Sequence, residues 1–411
     1  MALTETFIAE VKRRALDEAA RDHHPDGFPT LPAVPAGRYA DPEFTRLETE
    51  QVFGRSWLMV AHADELREPG DYLVVGQIAR PVVLVRGRDG VIRAHLNTCK
   101  HRGARLLEGP CGNTGRRMTC PYHSWTYDLE GTLVGYPDAA NFRELDPDVV
   151  DLTAVRCETW GPLVFINLDP DAAPLAEHLG PVADDLSEMA DLDGRLHLAG
   201  HTVREVPVNW KLPVDANIET YHVNTIHRDS AAKVLDQATT GIWLLPNGHS
   251  RMLISLREGV PLTGAMPFPP LFEGLGDLPS SGTFSYHLFP NLSIVFVGEG
   301  FLFLITNWPN ADGSSSYHVH WCSSLRSADG EAERKANELF MGFNEKVLFE
   351  DLSVLPGMQA SLDHGAIEEI NLSYQERRIY HVHETIDRVI GVERVPEHLR
   401  VTPVVGPHIE R

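Results

Sequence analysis

The chain has 411 residues, 43% hydrophobic and 23% charged, the balance of an ordinary globular protein with two or three domains. Its formal charge of -22 argues against nucleic acid or an anionic membrane as partner, and no apolar run approaches the length of a bilayer span. Five cysteines fit a reducing cytoplasm better than a disulfide framework.

In chain order, the first five residues lack the basic-then-apolar pattern of a secretory signal. Residues 5–20 carry Phe7, Ile8, Val11, Ala15 and Ala19 at helical spacing and predict one amphipathic helix. Pro25, Pro29, Pro32 and Pro35 predict an extended arm. Residues 43–56, with Phe44, Leu47, Val52 and Phe53, are again helical in character. From about 57 the texture changes to short β-rich runs at 58–61, 72–76, 81–86 and 91–96, with a hairpin turn at Arg88-Asp89-Gly90. Another strand is predicted at 164–168, and the Pro- and Asp-rich run at 169–174 reads as a domain exit. Beyond it, 174–189 predicts helix, 200–207 strand and 209–227 helix. Strands follow at 282–289, 292–298, 301–308 and 315–322, then long helices at 329–355 and 364–390.

Two constellations carry chemistry. The first is Cys99-Lys100-His101, then eighteen residues, then Cys120-Pro121-Tyr122-His123. Zinc accepts two Cys and two His, but usually as C-x2-4-C and H-x3-5-H pairs. Here each loop supplies one of each. That suits two metals, one held by both thiolates and the other by both imidazoles, as in a Rieske cluster. Gly103 and Pro121 permit tight loops, and Ser124 and Tyr127 can donate tuning hydrogen bonds. Cys111, between the loops, reads as a bystander thiol. The strings CKHRGARLL and CPYHSWTYDLEG resemble a Rieske [2Fe-2S] domain. The resemblance implies Cys99, His101, Cys120 and His123 as cluster ligands.

The second constellation runs from Asn209-Trp210-Lys211 to Glu219, His222 and His227. On an α-helix Glu219 and His222 share a face. His222 and His227 do not, because five residues rotate about 500°, or about 140° off axis. If both bind one metal, the helix must end or bulge between them. Two His and one carboxylate with open positions form the facial triad of non-haem Fe(II) oxygenases. Taken alone, the His pair reads more readily as two unrelated histidines, and it gains force only beside the first constellation.

Together the two constellations resemble the α (catalytic) subunit of Rieske non-haem iron oxygenases, the aromatic-ring-hydroxylating family, over about residues 45–375. The resemblance implies an α+β chain: an all-β Rieske domain at 41–168, then a helix-grip (START-like) catalytic domain at 169–411 with a curved antiparallel sheet and helices. Residues 1–40 would be a helix and arm packing on the catalytic domain. His222 and His227 match the mononuclear iron ligands. Glu219 matches the acid that bridges this iron's His to a Rieske His of the neighbouring subunit. Most members have Asp there, and Glu is similar to the choline, carnitine and betaine branch. Glu350-Asp351 followed by Gln359 resembles the family's late signature, with Asp351 as third ligand and Glu350 as its rival. Pro356 departs from that pattern and predicts a local helix break. Asp215 and Asn217 stand where many members carry a different pattern, and are candidate pocket residues.

The implied cofactors are the [2Fe-2S] cluster and mononuclear Fe(II), with O2 as cosubstrate. Gly298-Glu299-Gly300 lacks the third Gly of a dinucleotide fingerprint, so NAD(P)H is expected to act only through a separate reductase, with or without a ferredoxin. A homotrimer, or α3β3 with a β subunit, is implied by resemblance alone. The expected activity is hydroxylation, by mono- or dioxygenation, of an apolar aromatic substrate. A quaternary amine of the choline, carnitine or betaine type is the alternative. An electron-transfer or redox-responsive binding protein is the remaining reading, and it has no use for His222, His227 and Asp351.

Overall fold

The β-branched runs after residue 57 pair as their alternation requires. The computed structural model describes residues 5–78, 80–142, 144–260 and 268–410, so most of the stretch read for a secretory signal lies outside the described residues. Phe53–Leu175 forms one compact unit. Its seven-stranded antiparallel sheet runs, edge to edge, Leu58–His62, Leu163–Asn167, Ala154–Trp160, Ile92–Leu96, Val82–Arg86, Asp71–Val75, Cys111–Asn113. Val82, Val83, Leu84 and Val85 are all fully buried, which explains why this strand reads as an unbroken apolar run. Gly90, at φ 81°, takes the left-handed position of the predicted hairpin turn. A small sheet of Met118–Thr119, Thr126–Tyr127 and Leu133–Gly135 carries the second Cys-His loop.

The second unit comprises residues through Val52 together with Ala176–Arg411. Its seven-stranded antiparallel sheet has the order His197–Val206, Ser315–Ser323, Phe301–Pro309, Leu292–Val297, Gly282–Leu288, Ser250–Leu256, Leu235–Leu244. Phe303, Ile305, Val319 and Trp321 from this sheet share a core with Leu348 of the long helix Glu331–Leu352 and Tyr380 of the helix Arg377–Ile390. The N-terminal helix Glu5–Ala19 buries Val11 and Ala15 and packs on the strand Leu235–Leu244. A Cβ at Gly241 would come within 3.3 Å of the Ala15 backbone nitrogen and 2.9 Å of the Trp243 ring, so glycine permits the close approach.

The α+β architecture follows the expectation. The compact units change over at Phe53 and Leu175. The helix Pro42–Glu48 belongs to the second unit, where Glu48 pairs with Lys211 at 2.6 Å. Four elements differ from the sequence reading. The predicted helix at 174–189 is three short turns, broken where Gly180 at φ 51° meets Pro181. The one at 329–355 stops at Leu352, and a new helix, Leu355–Asp363, starts with Pro356 in its first turn. The one at 364–390 begins only at Arg377, after a capping box between Ser373 and Glu376. The helix at 209–227 ends at Ile218 and restarts as Val223–Ile226. Leu235–Leu244 and Ser250–Leu256 are additional strands.

Candidate metal centres

The first centre is built on two tight loops. Cys99 and Cys120 lie in the apolar cluster of Leu106, Met118, Trp125 and Tyr127. Each loop closes on its own backbone: Cys99 N–H donates to Ala104 O and Cys120 N–H to Trp125 O, both at 2.8 Å. Gly103 at φ 78° and Ser124 at φ 57° supply the left-handed turns. His101 and His123 stand at the half-exposed rim with their Nδ1 atoms 3.1 Å apart, and His101 stacks on Trp125 at 5.0 Å. Two buried thiols and two facing imidazoles therefore form separate pairs, the donor set that a two-iron cluster requires. Cys111 lies exposed in an edge strand opposite Leu73.

Tyr127 Oη accepts from Lys100 N–H at 3.1 Å and lies 3.6 Å from Cys99 Sγ. Burial, then the neighbouring Cys99, pushes the Tyr127 hydroxyl well above its usual value, so it keeps its proton and donates to the sulfur. Ser124 contributes its backbone instead, donating N–H to Cys120 O. A hydrogen bond worth about 1 kcal/mol corresponds to roughly 40 mV for one electron. Tyr127→Phe should lower the cluster's reduction potential by about that amount, read by redox titration of its visible spectrum. An unchanged potential would remove the hydrogen bond from the tuning.

The second centre depends on the break between the two short helices. Glu219 ends the helix Lys211–Ile218 with an extended backbone, φ -129° and ψ 171°, and His222 and His227 flank the helix Val223–Ile226. The interruption meets the geometric demand made by their spacing. The two imidazoles now face one point: His222 Nε2 is 3.3 Å and His227 Nε2 2.9 Å from Asp351 Oδ1. Their other nitrogens are taken by carboxylates. His222 Nδ1 pairs with Glu219, and His227 Nδ1 lies 2.9 Å from Glu350. An N–H held at Nδ1 leaves the lone pair on Nε2, directed inward. Ser230 also donates to Glu350. Burial opposes protonation of both imidazoles, but Glu219 for His222 and Asp351 for His227 outweigh it, so both sit above the usual histidine value. Metal therefore competes with protons here. His222, His227 and Asp351 form a set whose ligand atoms lie within 4.8 Å of one another, which fits the facial-triad chemistry of Fe(II).

A cavity of about 160 Å³ opens beside this set. Val295, Val297, Phe303 and Ile305 from the sheet and Phe343 and Val347 from the long helix make its walls. Asn217 lines it and lies 3.3 Å from Tyr317 Oη. Asp215 does not line it, and its carboxylate meets Tyr39 Oη at 2.6 Å instead. Sequence reasoning missed the outer roles of Glu350, Lys211 and Tyr39. Only the adjacency of Glu350 to Asp351 offered a signal.

The fold and both centres define a chain with one donor set suited to a Rieske cluster and a second suited to a mononuclear iron. The Rieske [2Fe-2S] domain family matches residues 56–152, and the ring hydroxylating alpha subunit (catalytic domain) family matches 192–392. The chain belongs to the Rieske-type ring-hydroxylating oxygenase catalytic subunits. It is 39% identical over 194 residues to the carnitine monooxygenase oxygenase subunit of Escherichia coli (strain K12), covering 47% of this chain and 52% of that one. It is 36% identical over 191 residues to the benzene 1,2-dioxygenase subunit alpha of Pseudomonas putida, covering 46% and 42%. The chain thus spans about half the length of the curated relatives it matches. The fold is that of a quaternary ammonium Rieske monooxygenase, at TM-score 0.73 and 24% identity over 90% of this chain and 99% of that one. Naphthalene 1,2-dioxygenase from Rhodococcus sp. gives TM-score 0.75 and 23% identity over 96% and 100%. Among the described residues no helix is long and apolar enough to cross a membrane.

Proposed function

We propose that the chain is the terminal oxygenase of a Rieske monooxygenase system and hydroxylates a small quaternary-ammonium substrate. The observation that carries this is the convergence of His222 Nε2 and His227 Nε2 on Asp351 Oδ1 beside the cavity. In this reading Cys99 and Cys120 hold one iron of the cluster and His101 and His123 the other. His222, His227 and Asp351 hold the mononuclear iron. Iron bound there supplies O2 activation, and the net reaction turns a substrate C–H, O2, two electrons and two protons into an alcohol and water. Glu219 keeps the His222 tautomer, Glu350 does so for His227, and the aliphatic walls exclude water.

Three features favour the ammonium over the aromatic substrate expected first. The cavity lining includes the carboxylates Glu219 and Asp351 and the rings Phe303 and Phe343, and no described lining residue is Lys or Arg. Carboxylates and ring faces attract a cation. Glu stands at position 219, and carnitine monooxygenase subunits are among the relatives. The volume is close to the roughly 150 Å³ that holds one benzene ring, which also suits a trimethylammonium head. The aliphatic sheet wall is what favours the aromatic reading. A reductase, with or without a ferredoxin, would supply electrons. A homotrimer or α3β3 assembly would set Glu219 beside a neighbour's cluster. Cys99 and Cys120 as cluster ligands, with Cys111, Cys157 and Cys322 as thiols, fit a cytoplasmic location.

O2 uptake with a surrogate reductase tests this. A choline-type ammonium compound should stimulate uptake more than benzene does, and more than a betaine, whose carboxylate would find no described basic partner in the lining. Stimulation by benzene alone would overturn the substrate class and leave the oxygenase standing. Two iron atoms per chain instead of about three, with no uptake, would leave an electron carrier.

A further inference from the structure

One face of the second unit's large sheet carries a buried cation without a counter-charge. In the paired strands Ser250–Leu256 and Gly282–Leu288, Ser250 stands opposite His287 and Met252 opposite Ser285. Directly opposed residues of an antiparallel pair point to the same side, and so do residues two apart. These four side chains therefore form one patch. Arg378, from the first turn of the helix Arg377–Ile390, lies across it. Its Nε donates to Ser250 Oγ at 2.8 Å and its Nη1 to Met252 Sδ at 3.3 Å.

Both acceptors are neutral. Among the described residues no carboxylate pairs with Arg378, and its Nη2 makes no hydrogen bond. Its neighbours are provided for: Arg251 pairs with Asp185, and Arg377 lies 3.5 Å from Glu18. Burial, then Arg377, pulls the Arg378 guanidinium down to about 9, with no acid opposing them. It still carries its charge at neutral pH. Buried charges are normally paired, because an isolated one is costly.

Two more buried groups on the patch lack partners, Ser285 Oγ and His287 Nε2. Ser293, opposite His287 in the next strand, lies 3.4 Å from its Nδ1. With the Ser293 hydroxyl donating there, the imidazole proton sits on Nε2. The patch thus offers a positive charge, an imidazole N–H and a hydroxyl, and no negative charge. A bridging water would satisfy the donors and leave the charge uncompensated, whereas an anion answers both. Arg378, Ser285 and His287 are 1%, 3% and 0% exposed, so the occupant must be small. None of the three lines the cavity beside the mononuclear centre. Met252 does, and its sulfur covers Arg378 from that side.

We propose that Arg378, Ser285 and His287 bind a buried chloride ion behind the cavity wall formed by Met252. The site lies apart from both metal centres and does not depend on which substrate the cavity takes.

Thermal unfolding of the iron-loaded full chain tests this, with chloride replacing gluconate at constant ionic strength. The midpoint should rise by about 5 °C as chloride saturates the site. Ser285→Ala deletes one hydroxyl and should move the response to about fivefold higher chloride. Arg378→Met, which exchanges a buried charge for an apolar side chain of similar length, should fold and show no response. Crystals soaked in bromide should give an anomalous peak between Arg378 and His287. A midpoint indifferent to chloride, or no bromide peak there, overturns the site. A rise that survives Arg378→Met places the halide elsewhere, the iron included, and overturns it equally. A response unmoved by Ser285→Ala removes that hydroxyl from the proposed set.

Discussion

Asp351→Ala should leave the chain with two iron atoms in place of three and reduce substrate-dependent O2 uptake to the background of an iron-stripped control. Asp351 Oδ1 is the point on which both Nε2 atoms converge, so its loss removes the only anionic member of the set. Outer partners of metal ligands are worth roughly 10–100-fold, and a ligand is worth more. Glu350→Gln should fall within that lesser range, because it loosens His227 without deleting a donor. The two variants separate the adjacent acids. If Glu350→Gln empties the site and Asp351→Ala does not, the assignment is reversed. Iron analysis and the cluster's unchanged visible spectrum give the readout.

Glu48→Ala should be the most destabilising single change away from the centres. Glu48 is fully buried and accepts from Lys211 Nζ at 2.6 Å and Trp210 Nε1 at 3.0 Å. Burial pulls Lys211 below its ordinary value, and Glu48 is what opposes this. Removing one partner of a buried pair costs about 3–5 kcal/mol, because the other charge is stranded. At roughly 2–4 °C per kcal/mol for a large domain, thermal unfolding should shift down by about 10 °C. Replacing Lys211 by Met in the same chain should restore most of the loss. A melting curve unchanged in Glu48→Ala would show that Lys211 finds another partner. The Rieske unit does not contain the pair, so the cluster spectrum should survive in both variants.

Much of this site was legible because its chemistry is local. Cys99 with His101, and Cys120 with His123, sit two and three residues apart, so loop spacing alone names the donors. His222 and His227 were legible with a condition attached, that the helix must break, and it does so at Glu219. Asp351 comes from more than 120 positions away and needed the family signature. The outer partners were hidden for the same reason. Glu48 meets Lys211 across 163 positions and Tyr39 meets Asp215 across 176, and nothing in either local pattern announces a distant ion pair or phenol. The missed strands Leu235–Leu244 and Ser250–Leu256 open with polar residues or turn signals, and tertiary pairing overrides that local composition. The over-long helix at 364–390 has the opposite cause. Ser373 and Glu376 form a start signal that was legible but was outweighed by the apolar periodicity around it.

The long helix Glu331–Leu352 has a consequence for how a bound molecule is sensed. Phe343, Val347 and Leu348 press against the cavity, and two residues further on the same rod offers Glu350 and Asp351 to opposite nitrogens of His227. A helix transmits displacement along its axis with little internal give, since each turn is braced by the next. A displacement of that wall would move the partners at both edges of one imidazole together. The wall of the cavity and both carboxylates on His227 thus belong to one helix, one turn apart.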